Sequence, residues 1–141
     1  LLIKSMLKTV HVAVGVIISI NEQQQTQYYL TKRLADAHQS GKWEFPGGKV
    51  EKDESVAQAL ARELEEEVAI EVLACTPLTV INHDYGDKQV YLEVFIIDNY
   101  IGEPTAQEGQ QQGWFSLSEL QKLDFPKAND AIIEKLLAPS S

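Results

Sequence analysis

Residues 47–70, GGKVEKDESVAQALARELEEEVAI, limit the fold of this chain more than any other stretch. Apolar side chains at Val56, Leu60, Leu64 and Val68, with Ala57 and Ala61 beside them, form the buried stripe of an amphipathic α-helix. Ser55 and Gln58 have capping-box spacing, so the helix is expected to start near Ser55. Glu63, Glu66 and Glu67 then share one face, within an arc of about 100°.

That face is locally unfavourable. Like charges at helical neighbour spacing cost roughly 0.2–0.5 kcal/mol per pair, and the helix dipole disfavours anions near the C-terminus. A solvated acidic face is the simplest reading of a Glu-rich helix. Here a Gly-Gly pair precedes the helix and three carboxylates converge, which suits a hard divalent cation with oxygen ligands. A local rule broken without visible compensation is the mark of a functional site. A metal site is therefore preferred.

The box continues on both sides of the acidic run. Gly48, Glu54, Arg62, Glu63, Leu64, Glu66, Glu67 and Ile70 stand at the spacing of the Nudix box, and the chain resembles the Nudix hydrolase family. Ala69 departs from the pattern, standing where the family usually has the Gly that ends the helix. The resemblance implies an α/β (α+β) fold, a mixed β-sheet sandwiched between α-helices, with Mg²⁺ or Mn²⁺ as cofactor. It implies metal ligation by the Gly47 carbonyl, Glu63, Glu66, Glu67 and, from outside the box, Glu108. The implied reaction is attack of water at phosphorus, with those glutamates as the catalytic set. Glu63 is the first choice of base and Glu108 the second. Arg62, inside an acidic run, reads as an ion-pair partner.

Further stretches narrow the resemblance to the branch of the family that hydrolyses 8-oxo-dGTP. They are TKRLADAH (31–38), EFPGGK (44–49), GEP (102–104), EGQ (108–110), WFSL (114–117) and FPKAN (125–129). The matching nucleotide-binding positions are Arg33, His38, Glu44, Phe45, Pro46, Gly47 and Asn129. Asn129 also permits a physical argument. Oxidation at C8 turns guanine N7 from an acceptor into a donor while O6 stays an acceptor, so one amide can serve both. The alternative for Asn129, or for Asp130, is a plain cap on the last helix.

Along the chain, residues 10–20 (VHVAVGVIISI) read as a strand buried on one face and partly covered on the other. Residues 28–33 return as its hairpin partner, and 35–43 read as a loop. In 44–48, Pro46 favours an extended Phe45 and the two glycines read as a turn or close backbone approach. One or two strands follow over 71–83, with Pro77 marking an edge or an interruption. A hairpin turn at 85–88 leads to a strong strand at 90–98. Trp114 and Phe115 read as a short strand, Ser116 with Glu119 as the start of a short helix, and a final helix runs to Leu137. His11 reads as a strand residue and His83 as a surface loop residue. Packing is preferred over base stacking for Trp43 and Tyr85.

At 141 residues, 44% of them hydrophobic, the chain is expected to form a single domain spanning 1–141. Residues 1–5 read as a vector remnant or a frayed start without signal-peptide layout. The net charge of −9 argues against a nucleic-acid-binding surface and suits a protein that holds anionic small molecules through metal ions. The lone Cys75 and the lack of a membrane-length apolar run point to a cytoplasmic protein, and the resemblance implies a monomer. Other (d)NTPs or nucleoside diphosphate derivatives are the alternative substrates. A nucleotide-sensing or protein-binding module on the same scaffold is expected to lose box carboxylates, and all are present.

Overall fold

The computed structural model describes residues 8–34 and 41–138. Its elements are β1 (Lys8–Ile20), β2 (Thr26–Lys32), β3 (Trp43–Glu44), β4 (Gly47–Lys49), α1 (Val56–Val68), β5 (Glu71–Asp84), β6 (Lys88–Ile101), β7 (Gln112–Phe115), α2 (Leu117–Leu120), a 3₁₀ turn (Lys127–Asn129) and α3 (Asp130–Leu137). The strands form one mixed sheet in the order β3-β2-β1-β6-β5, with β4 paired to β1 and β7 to β2.

β1 organises this sheet. Its β-branched run pairs in parallel with β6 from Lys8↔Lys88 to Ile17↔Ile97. Its other edge is shared between β4, in register at Ala13↔Gly48, and β2, in register at Ile18↔Tyr28. Both of its faces are covered. Val14 and Val16 enter the core built with Phe45, Leu92, Leu120, Phe125 and Ile132, on the side of α2 and α3. Ala13 and Ile17 enter a second core with Leu60, Leu64 and Val68 of α1. The face expected to be only partly covered is thus buried too over residues 13–17. The small residues on the second parity make room: a Cβ at Gly15 would stand 3.0 Å from Leu64 Cδ1.

α1 begins as its capping box requires. Ser55 accepts from the Gln58 N–H, and the Gln58 side chain accepts from the Ser55 N–H. The buried stripe is Ala59, Leu60, Leu64 and Val68, so Ala59 packs inward where Ala57 was expected and Ala57 is exposed. Each fully buried Leu or Val contributes about 1.5–3 kcal/mol, enough to hold the strained acidic face in place. The helix ends on Ala69 in the left-handed conformation, φ 62°, donating its N–H to the Glu65 and Leu64 carbonyls. The carbonyls of Glu67 and Val68 receive the N–H groups of Gln107 and Thr105 at 3.1 and 2.9 Å, which ties the loop carrying Glu108 to the helix end.

Two further readings need correction. Residues 43–44 and 47–49 form the short strands β3 and β4, and the Gly pair is not a turn. His83 lies on β5 with its ring edge-on to Tyr85, 4.3 Å between centroids. Pro77 does sit on an edge strand, beside a register shift to Thr79. Tyr85–Lys88 closes the β5–β6 hairpin through a 2.9 Å bond from the Tyr85 N–H to the Lys88 carbonyl, with Gly86 at φ 94°. No helix among the described residues is long and apolar enough to cross a membrane.

Candidate active site

The site is assembled where β4 passes under α1. The Gly15 N–H donates to the Pro46 carbonyl and the Val50 N–H to the His11 carbonyl, so the even-numbered residues bond to β1. Gly47 has the opposite parity and directs its N–H and carbonyl away from β1. Its backbone hydrogen-bonds the Glu67 carboxylate. Both glycines are required by crowding. A Cβ on Gly47 would collide with the Ala13 carbonyl, and one on Gly48 with the Glu63 carboxylate.

Arg62 orders the acids on the other side. Its Nη2 and Nε donate to the two oxygens of Glu54 at 2.7 and 3.2 Å, and its Nη1 to Glu63 at 2.8 Å. Nη2 also reaches the Lys49 carbonyl at 3.2 Å, fastening α1 to β4. Glu66, one turn on, is 3.6 Å from Nη1 with a side chain 64% exposed, whereas Glu63 is 20% exposed. The box Glu54 and Arg62 thus fix the Glu63 carboxylate, and the Arg62 guanidinium holds the Glu54 carboxyl below its usual range.

Among the described residues Glu67 is strongly perturbed. Burial first, then the charges of Glu44 and Glu63, push its carboxyl up to about 8, with Glu108 adding to the repulsion. Glu44 is itself raised by burial, against the opposing pull of Arg33, whose Nη1 donates to it at 2.6 Å. Glu44, Glu67, Glu108 and Gln110 line a polar cleft of about 130 Å³ together with Lys32 and Arg33. α1 therefore sets Glu63 beside Glu67, and the 102–111 loop delivers Glu108 to the same cleft, whereas Glu66 stays exposed outside it.

These donors fit a divalent cation. Among the described residues no three His, Cys, Asp or Glu side chains form a ready-made cage. Burial and the neighbouring charges together favour the protonated form of Glu67, and a hard cation would relieve the repulsive part; Mg²⁺ characteristically takes one or two carboxylates and leaves the other positions to water and phosphate. His11 takes no part in the cleft: its Nε2 is 2.6 Å from Glu93.

A second, apolar cavity of about 290 Å³ adjoins the first, and the Arg33–Glu44 pair lines both. Its walls are Val12 and Val14 of β1, Phe45, Tyr85, Leu92 and Ala128, with Gly47, Lys49 and Lys88 also exposed to it. Phe45 is buried and stacks on Phe125 at 5.7 Å, and Pro46 is buried beside it. Trp43 packs edge-on against Phe115 at 5.0 Å, the packing role expected of it. Asn129 follows Ala128 and is half-buried, but its side chain makes no cap hydrogen bond to α3, which removes the plain-cap reading. His38 lies outside the described residues.

The NUDIX domain family model matches residues 9–136. The chain belongs to the Nudix family. It is 38% identical over 130 residues to the 8-oxo-dGTP diphosphatase of Escherichia coli K12, a match covering 92% of this chain and 98% of the relative. It is 34% identical over 109 residues to the CTP pyrophosphohydrolase of the same organism, covering 77% of this chain and 81% of that protein. Among solved structures it superimposes on a MutT chain from work on the Aliivibrio salmonicida and Vibrio cholerae proteins, with TM-score 0.78 and 35% identity, covering 92% of this chain and 98% of that one. The Nudix fold and a divalent-metal cofactor go with membership of the family.

No local signal marks Lys88, and Tyr85 reads from the sequence as a packing residue. Both line the apolar cavity of this Nudix protein because the β5–β6 hairpin folds back beside the FPKAN segment, a contact with no local signal. Gln112 was also missed: its Oε1 accepts from Tyr29 Oη at 2.6 Å and the Ala106 N–H at 2.7 Å, steadying the loop that carries Glu108.

Proposed function

We propose that this Nudix protein hydrolyses 8-oxo-dGTP to 8-oxo-dGMP and pyrophosphate with Mg²⁺, removing the oxidised nucleotide before a polymerase can insert it. The observation that carries the reading is Asn129. Its amide is not spent on capping, and it follows directly on the wall of an apolar cavity that meets the carboxylate cleft. The amide oxygen accepts from the N7–H of the oxidised base and the amide nitrogen donates to O6. Ordinary guanine presents a lone pair at N7 and leaves one group unpaired, a loss that can discriminate by about 10⁴.

Phe45, Pro46, Arg33, Glu44 and His38 complete the nucleotide site. The Gly47 carbonyl, Glu63, Glu66, Glu67 and Glu108 would hold the metal, in keeping with the outward-facing Gly47 backbone and the crowding of charge on Glu67. When bound, a divalent cation would supply neutralisation of the polyphosphate and activation of the attacking water. Glu63, whose carboxylate Arg62 orients, is the first choice of base for the attacking water, with Glu108 the second. The reading has the protein as a cytoplasmic monomer whose partner is a free nucleotide, which suits its net charge of −9.

The similarity to a CTP pyrophosphohydrolase favours a second reading, in which another (d)NTP is the substrate. Pyrophosphate release with Mg²⁺, comparing 8-oxo-dGTP, dGTP and CTP well below saturation, separates the two. A large preference for 8-oxo-dGTP that EDTA and Glu67→Gln abolish supports the first. Equal rates on dGTP and 8-oxo-dGTP would sink it, and a preference for CTP would establish the second.

A further inference from the structure

The segment that carries Asn129 begins without a conventional cap. The 3₁₀ turn Lys127–Asn129 follows Pro126, which supplies no side-chain cap hydrogen bond. The first N–H groups of such a turn have no partner within it. Asn129 donates its N–H to the Pro126 carbonyl at 2.9 Å, but the N–H of Ala128, a residue 4% exposed, requires a partner from elsewhere. Tyr85 provides it. Its Oη accepts from the Ala128 N–H at 3.1 Å across 43 residues of sequence.

We infer that Tyr85 is a positioning residue for base recognition, its hydroxyl setting the place of the Ala128–Asn129 backbone and hence of the Asn129 amide. This rests on the reading of Asn129 as the group that recognises the oxidised base. The other end of the same segment is fixed independently: the Trp43 N–H donates to the Asp124 carbonyl at 2.8 Å, and Phe125 stacks on Phe45. The segment is therefore clamped to β3 before Pro126 and to the β5–β6 hairpin after it. Tyr85 is itself held, by the His83 ring and by the turn bond to Lys88, so its hydroxyl is a fixed point. Its ring also forms part of the cavity wall, which places the tether between the hairpin and the bound base. A recognition that depends on two simultaneous hydrogen bonds tolerates little displacement of the amide.

Tyr85→Phe keeps the ring and removes the hydroxyl, and with it the acceptor for the Ala128 N–H. The expected result is amide hydrogen exchange at Ala128 faster by about threefold to tenfold. KM for 8-oxo-dGTP rises by a similar factor, kcat stays within about twofold, and the preference over dGTP falls. In an Asn129→Ala background the same substitution adds less than about twofold to the loss of preference, because both act through one amide. Unchanged exchange at Ala128, an unchanged preference, or a loss equally large in the Asn129→Ala background overturns the inference. If Asn129→Ala abolishes the preference and Tyr85→Phe does not touch it, the tether alone is wrong. If the wild-type protein shows no preference, the base reading fails and the inference falls with it.

Discussion

Glu67, on α1, takes a hydrogen bond from the backbone of Gly47, on β4, so the acidic helix face and the floor of the apolar cavity are joined at one carboxylate. The same carboxylate faces the charges of Glu44, Glu63 and Glu108, and its affinity for a proton is raised to about 8 from an ordinary value of 4.5. The bond from Gly47 lowers that affinity, but burial and repulsion outweigh it.

A pH dependence follows for the metal-free protein. The folded state holds a proton on Glu67 that the unfolded chain releases near pH 4.5, so this contribution to stability is complete below 4.5 and is lost as pH rises through about 8. With EDTA present, the Tm is expected to fall over that window, and Glu67→Gln to flatten the fall. On the proposed ligand set a divalent cation would have to displace the proton, so Mg²⁺ affinity in wild type should rise up to about pH 8 and then level. A wild-type Tm profile identical to that of Glu67→Gln would refute the assignment.

Arg62 supports the site from behind. It bonds Glu54, Glu63 and the Lys49 carbonyl, and no single Lys can match that planar fork. Arg62→Ala is expected to weaken apparent Mg²⁺ affinity by roughly 10–100-fold, as loss of an outer partner of metal ligands typically does, with Arg62→Lys recovering only part. The check is a Mg²⁺ titration of pyrophosphate release. A Lys variant equal to wild type would show that charge alone matters.

Gly48 offers a sharper separation of fold from chemistry. A methyl there meets the Glu63 carboxylate, the mobile end of a side chain, whereas one at Gly47 meets the Ala13 and Val14 backbone. Gly48→Ala is therefore expected to fold, at a cost of about 1–3 kcal/mol, and to lose activity by displacing Glu63. Gly47→Ala should be the more destabilised of the two in thermal unfolding. The reverse order would mean that β4 can shift from β1 more easily than Glu63 can move.

The extent to which the sequence disclosed this site depended on where each signal was local. The capping box at Ser55, the apolar stripe and the convergence of Glu63, Glu66 and Glu67 are set by helical spacing alone. Read locally, the Gly-Gly pair allows a turn or a close backbone approach, because nothing nearby shows that β1 lies against it, and it is that close approach which demands glycine. Tyr85 and Lys88 enter the cavity only through the return of a hairpin from far along the chain, and the Gln112 bond to Tyr29 spans 83 residues. Asn129 was the reverse case, where a local rule offered a cap and the tertiary setting left the side chain out of it.

Ala69 is the one box position where this chain departs from the family pattern, and the helix nevertheless ends as sharply as a glycine would end it. Ala69 takes φ 62° and ψ 34°, with its N–H on the Glu65 and Leu64 carbonyls. A side chain in that conformation costs about 1–2 kcal/mol, and the exposed methyl has no buried surface to offset it. Ala69→Gly removes the strain but restores about 0.4–1 kcal/mol of freedom to the unfolded chain. The net expectation is a stabilisation of about 0.5–1 kcal/mol, a Tm higher by roughly 1–4 °C, with kcat unchanged. Since Glu67 lies two residues before the cap, a change in kcat without a change in Tm would instead mean that the methyl tunes the position of the carboxylate.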